Sequence, residues 1–184
     1  MDDNRSKAIV VVTHCILNQN SKVEGIAKFP GAITPVVDFL MREGLGILQM
    51  PCPEVTYAGI RRWQAVKEQY DIAGFREHCR NLAQSIANQI QDYYNSGYTI
   101  VAILGADGSP SCGVNKTPRN STWGGLIPER LPNQKLVSES GIYIEILKRE
   151  LEERRLGIPF VGVPESAEVG DLEEAVAELK RALG

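Results

Sequence analysis

The chain has 184 residues, 43% of them hydrophobic, and a net charge of −3. These values are typical of a globular protein with one domain, residues 1–184, and exclude a coiled coil, collagen and a mainly disordered chain. No apolar run approaches the roughly 18 residues that a membrane span needs. The acidic N-terminus is unlike a secretory signal. We therefore expect a cytoplasmic protein without a membrane partner, and the mild acidity disfavours non-specific nucleic-acid binding.

Short apolar runs alternate along the chain with helical patterns. The apolar runs predict strands over residues 7–14, 45–50, 98–104 and 158–163. The patterns with helical spacing predict helices over residues 31–43, 71–96, 138–156 and 171–183. This alternation predicts a Rossmann-like three-layer α/β domain with a small, mostly parallel four-stranded sheet. The expected strand order is 2-1-3-4, with a switch point between the first and third strands.

The connections between these elements carry the unusual residues. Residues 15–30 are predicted to form a polar loop, and residues 105–137 a long loop that contains Trp123. Loops of that length usually have a function or are disordered. Arg61, Arg62 and Trp63 form a basic and aromatic cluster where a phosphate or a tRNA backbone could bind. The net charge of −3 instead favours a free base or nucleoside as the ligand.

Three of the four cysteines lie where predicted strands end. Cys15 directly follows the first strand, Cys52 follows the second, and Cys112 comes a few residues after the third. Because the carboxyl ends of parallel strands share one edge of a sheet, the topology predicts that these thiols meet there. Three thiolates suit an iron–sulfur cluster or zinc with an open coordination position. Cys79 lies within a predicted helix, on its apolar stripe, and is predicted to be a core residue.

The segments around these three cysteines carry a family resemblance. They are Pro-Cys-Pro-Glu at residues 51–54, Ser-Pro-Ser-Cys-Gly at 109–113, and Cys15 with Asn18 and Glu24-Gly25 beyond it. Together they resemble the thiouracil desulfidase family, of which the chain looks like a divergent member. The resemblance implies a [4Fe-4S] cluster held by Cys15, Cys52 and Cys112, with one iron open to the substrate sulfur. It also implies non-redox removal of sulfur from a thiolated pyrimidine, either a thiouracil-like base or a nucleoside.

Hydrolysis of a C–S bond needs a group that activates water and protonates the ring as sulfide leaves. Glu54, two residues from a predicted ligand, is the candidate general acid and base. Ser109 and Ser111 flank another predicted ligand and are candidates to orient the substrate or to move a proton. Asn18 and Glu24 are candidates to bind the polar edge of the base. The alternative for the serines is hydrogen bonding within the turn, and for Glu54 it is capping of a loop.

Two other functions remain open from the sequence. One is a non-catalytic iron–sulfur or zinc-binding module for sulfur or metal sensing or delivery. The other is a metal-free thiol enzyme with one activated cysteine. Metal content and single cysteine replacements distinguish them, because a thiol enzyme depends on one cysteine and a cluster on all three.

Overall fold

The sheet and helices follow the predicted alternation, in a computed structural model that describes residues 3–124 and 134–184. The strands are β1 (Ala8–Thr13), β2 (Gly46–Met50), β3 (Thr99–Ala106), β4 (Thr117–Arg119), β5 (Lys135–Val137) and β6 (Phe160–Val163). The helices are α1 (His14–Leu17), α2 (Thr34–Arg42), α3 (Pro53–Ala58), α4 (Lys67–Tyr70), α5 (Ala73–Asn95), α6 (Ile142–Glu153) and α7 (Leu172–Leu183), with a 3₁₀ turn at Gln19–Ser21. The predicted α/β class and the main elements are confirmed, with ends shifted by a few residues.

The central sheet has the order β2-β1-β3-β6, and the three neighbouring pairs are parallel. In the predicted numbering this is the order 2-1-3-4, so the predicted strand order is confirmed. The carboxyl ends of β1, β2 and β3 therefore lie side by side, with Thr13 paired in register with Met50. This edge is where the sequence placed the cysteines.

Helices cover both faces of the sheet, which explains why the central strands are apolar throughout. Val11 of β1 packs in the cluster that contains α5 and α6. Val10 and Val12 pack on the opposite face in the cluster that contains α2 and α7. All three valines are fully buried, and burying such a side chain contributes about 1.5–3 kcal/mol. Cys79 is also fully buried in the α5–α6 layer, as predicted.

The loops contain short helices that the sequence patterns did not predict. The segment from Cys15 is not simply a polar loop, because α1 continues directly from β1 and a 3₁₀ turn follows. Helix α3 begins with Pro53, whose fixed φ suits the first turn of a helix, and the Cys52 Sγ accepts a hydrogen bond from the Val55 N–H at 3.4 Å. Helices of four to six residues are too short to show an apolar period.

The described part of the predicted 105–137 loop is ordered by its own hydrogen bonds. The Asp107 Oδ1, just after β3, accepts the backbone N–H groups of Val114 and Asn115, both at 2.8 Å. Gly113 allows the tight turn, since a Cβ there would lie 2.2 Å from the Lys116 carbonyl oxygen. The loop also contains the antiparallel pair β4–β5. Trp123 is half-buried, while residues 125–133 lie outside the described residues.

None of the helices in the described part of the chain is long and apolar enough to cross a membrane.

Candidate active site

Cys15, Cys52 and Cys112 line one pocket of about 300 Å³ at the carboxyl edge of the sheet. Cys15 lies in the first turn of α1 after β1, and Cys52 caps α3 after β2. Cys112 lies in the hydrogen-bonded loop after β3, where its N–H donates to the Ser109 Oγ at 3.0 Å. The parallel topology therefore brings the three thiols into the same pocket, as the strand ends predicted.

Burial dominates the electrostatics of these thiols. It raises the pKa of Cys15 to about 12 and raises the pKa of Cys112 well above the ordinary thiol value. Burial also raises the pKa of Cys52, although the Val55 N–H partly offsets the effect. A second cause at Cys112 is repulsion from charge on Cys15 and Cys52. Three thiolates therefore need a bound cation to share this pocket, and an activated lone cysteine, which needs a lowered pKa, is disfavoured.

Glu54 is the centre of a buried hydrogen-bond network between two of the cysteines. Its Oε1 accepts the Ser111 hydroxyl at 2.5 Å and the Ser109 hydroxyl at 3.3 Å. Its Oε2 accepts Arg62 Nε at 2.9 Å and the Tyr70 hydroxyl at 3.4 Å. The Ser111 hydroxyl also lies 3.5 Å from the Cys112 Sγ. Glu54, Ser109 and Ser111 are thus in contact with one another and line the cysteine pocket.

The cysteine pocket also contains three charged residues that the sequence analysis did not place there: Arg62, Lys22 and Glu165. Arg62 was predicted within a basic cluster, but its side chain is only 6% exposed and is paired with Glu54. Lys22 and Glu165 form an ion pair in the pocket wall near Cys15. Glu165 follows the end of β6, so the same strand-end argument that selected the cysteines could have found it.

Asn18 and Glu24 are not among the residues that line the cysteine pocket, although Val23 and Gly25, on either side of Glu24, are. The Asn18 side chain accepts the Asn20 N–H at 3.1 Å and caps the 3₁₀ turn. Glu24 is exposed and lines a neighbouring depression beside Ile60 and Arg61. Their predicted contact with the polar edge of a base stays a prediction, and it gains no support from the positions of these side chains.

The donor set of the pocket fits an iron–sulfur cluster, because three thiols and no other soft ligand line it. In the described residues, three buried polar atoms lack a hydrogen-bond partner: Thr13 Oγ1, Arg62 Nη1 and Tyr143 OH. Arg62 lines the pocket, and Thr13 lies two positions before Cys15. This fit concerns the type of donor and not the arrangement, because residues 3–124 and 134–184 contain no group of three or more His, Cys, Asp or Glu side chains arranged to hold a metal ion. The cluster is therefore a proposal that rests on the donor set and on similarity.

Comparison with known proteins supports a family and a fold. The uncharacterized protein MJ0003 of Methanocaldococcus jannaschii is 39% identical over 112 residues, which are 61% of this chain and 71% of that protein. The chain belongs to the same family as MJ0003. No family model matches the chain. Among solved structures, the [4Fe-4S]-dependent thiouracil desulfidase TudS is similar, with a TM-score of 0.55, 21% identity, and coverage of 96% of this chain and 97% of that one. At that identity, the likeness shows a shared fold.

Proposed function

We propose that this member of the MJ0003 family is a [4Fe-4S]-dependent desulfidase that removes sulfur from a thiolated pyrimidine. The observation that carries the proposal is the joining of three cysteines and a buried Glu54–Ser111 pair in one pocket. The desulfidase fold of TudS and the resemblance of residues 51–54 and 109–113 to that enzyme family support it. In the reaction, water adds to the thione carbon, a C–O bond forms, and the sulfur leaves as hydrogen sulfide.

Cys15, Cys52 and Cys112 would hold the cluster. When bound, it would supply a Lewis acid with one open position that stabilises negative charge on the substrate sulfur. The remaining chemistry belongs to the side chains of the pocket. They must bind the ring, take a proton from water and deliver a proton to the ring.

Glu54 is placed to hold and move that proton. The short Ser111 Oγ–Glu54 Oε1 contact and the 3.2 Å contact between Ser109 Oγ and Ser111 Oγ form a continuous chain of hydroxyls. These two hydroxyl groups carry a proton from the pocket to the Glu54 carboxylate and back. Arg62 bonds to the other carboxylate oxygen and holds it in one orientation, so that Oε1 stays directed at Ser111. Positioning of this kind is what general acid–base catalysis requires.

The charges of the pocket wall favour a neutral substrate. Arg62 is paired with Glu54, and Lys22 is paired with Glu165. Lys28 is a third cation of the wall, and Asp107 and Glu168 are further carboxylates. The wall therefore carries three cations and four carboxylates, and its net charge is slightly negative. A free base or a nucleoside meets less repulsion in this pocket than a phosphorylated nucleotide does. We propose a thiouracil-like base or nucleoside as the substrate.

The direct test uses protein loaded with iron and sulfide without oxygen. It is incubated with 4-thiouracil, 2-thiouracil, 4-thiouridine and 4-thiouridine monophosphate, and sulfide release and loss of thione absorbance are measured. We expect release from at least one neutral compound and slower release from the monophosphate. Ser111→Ala should keep its iron and lower the rate about 100-fold, whereas Ser85→Ala, on the exposed face of α5, should not change it. Full iron content without sulfide release from any of the compounds would instead favour the non-catalytic module.

A further inference from the structure

Three buried polar atoms of the described residues lack a hydrogen-bond partner, and all three belong to segments that lead to or contact the cysteine pocket. Thr13 ends β1 two positions before Cys15, Arg62 is bonded to Glu54, and Tyr143 follows the loop that carries Cys112. A buried donor without a partner lowers stability, and native proteins contain few of them. We therefore ask of each atom whether a group bound to the cysteines would be its acceptor.

Tyr143 is the most completely enclosed of the unpaired donors. Its side chain is fully buried in the second position of α6. Its backbone N–H donates to the Ser111 carbonyl oxygen at 2.9 Å, so the first turn of α6 is bonded to the segment before Cys112. At Gly141 this contact is so close that a Cβ would lie 2.5 Å from the Ser111 carbonyl oxygen. The backbone of α6 at Tyr143 is therefore held against the loop that carries Cys112.

Sulfur is the acceptor that the surroundings of Tyr143 offer. The residue packs in the same apolar cluster as Cys112, Cys79 and Met50. Burial raises the pKa of the Tyr143 phenol, and charge on Cys112 is the second cause, so the hydroxyl stays a donor at neutral pH. A protonated thiol is a weak acceptor, whereas a metal-bound thiolate or sulfide carries the negative charge that a hydroxyl donor prefers.

We propose that the Tyr143 hydroxyl donates a hydrogen bond to a sulfur atom of the metal-bound group at Cys112, and so fixes its position and tunes its charge. The inference rests on the proposed cluster. A hydrogen bond to sulfur withdraws negative charge from the cluster and raises its reduction potential. Hydrogen-bond donors to metal ligands also strengthen metal binding, and the loss of such a donor typically lowers the affinity for the metal 10- to 100-fold. Tyr143 is thus a positioning residue that acts through Cys112.

The test compares Tyr143→Phe with Tyr94→Phe, the same replacement at an exposed position of α5. Each variant is examined as metal-free protein by denaturant unfolding. The same variants, reconstituted with ferrous iron and sulfide, are examined by redox titration and by iron transfer to a chelator. We expect metal-free Tyr143→Phe to be at least as stable as the wild type, because an unpaired donor is removed. We also expect a more negative cluster potential and iron transfer about 10-fold faster or more, with neither change in Tyr94→Phe.

The outcomes separate this inference from the proposed function. A cluster in Tyr143→Phe with wild-type potential and wild-type iron retention would overturn the inference and leave the desulfidase proposal intact. Metal-free Tyr143→Phe that is less stable than the wild type would show that a protein group already accepts the hydroxyl, and would also overturn it. Failure of the wild type to bind a cluster would overturn both.

Discussion

Replacing Glu54 by Gln tests whether the buried network is organised around a carboxylate. The side chains of Glu54 and Arg62 are only 10% and 6% exposed, and their atoms Oε2 and Nε are 2.9 Å apart. The change removes the negative charge and leaves Arg62 as a buried cation without a counter-charge. The protein is therefore expected to lose both stability and activity.

The size of the stability loss follows from the contacts that remain. Removing one partner of a buried ion pair typically costs about 3–5 kcal/mol. The glutamine side chain in the Glu54→Gln variant would still offer an oxygen acceptor, and Arg62 would keep its 3.0 Å bond to the Ser21 carbonyl oxygen, so the lower end applies. A loss of about 3 kcal/mol corresponds to a fall of about 6–12 °C in Tm for a chain of this size. Loss of the acid–base group should lower the rate about 10²- to 10⁴-fold.

Denaturant unfolding of the metal-free protein measures the loss of stability in Glu54→Gln. Sulfide release by the protein loaded with iron and sulfide measures the loss of activity. Glu168→Gln, at an exposed carboxylate of the same pocket wall, is the matched control and should change stability by less than about 0.5 kcal/mol. Adding Arg62→Met to Glu54→Gln should restore most of the stability, since it removes the unpaired cation. The reasoning would be refuted by Glu54→Gln with wild-type stability, or by no recovery in the double variant.

Three further predictions concern the pocket. Replacing any one of its cysteines by Ser should abolish iron binding, whereas Cys79→Ala should bind full iron and lose only stability, as iron analysis of each variant will show. Gly113→Ala places a Cβ 2.2 Å from the Lys116 carbonyl oxygen. We expect it to lower the free energy of unfolding by about 1–3 kcal/mol, measured by thermal unfolding, and to lower the iron content. An unchanged iron content would contradict the role of this turn in placing Cys112. The raised pKa of Cys15, about 12 against an ordinary value of 9.0, means that the folded state holds the thiol proton more tightly than the unfolded state does. The metal-free protein should therefore lose stability as the pH rises from 9 towards 12. The loss should be smaller in Cys15→Ala, and equal losses would contradict it.

The sequence was sufficient to predict the sheet and the meeting of the cysteines because both depend on long, regular patterns. The apolar run before Cys15 and the similar run before Gly105 are typical of strands buried on both faces. When such strands are parallel, their carboxyl ends lie at the same edge of the sheet, whatever the conformations of the loops between them. The shared pocket of the three thiols followed from that argument, whereas the strand order was expected from a switch point between the first and third strands.

The rest of the site depends on contacts between distant residues, which local patterns do not reveal. Glu165 meets Lys22 across 143 positions of the chain, and Ser111 meets Glu54 across 57. Tyr143 lies in the helix predicted over residues 138–156 and matches none of the motifs, so only the packing of α6 on the cysteine loop distinguishes it. Asn18 was selected from its position in a loop, but the backbone of the 3₁₀ turn is what its side chain contacts.

The central claim is that three cysteines hold an iron–sulfur cluster, and metal analysis tests it most directly. The protein is purified without oxygen, and its iron, acid-labile sulfide and visible absorption are measured. We predict a brown protein with about four iron and four sulfide per chain, as a [4Fe-4S] cluster requires. Colourless protein that contains no iron, and that also fails to take up iron and sulfide on reconstitution, would contradict the account.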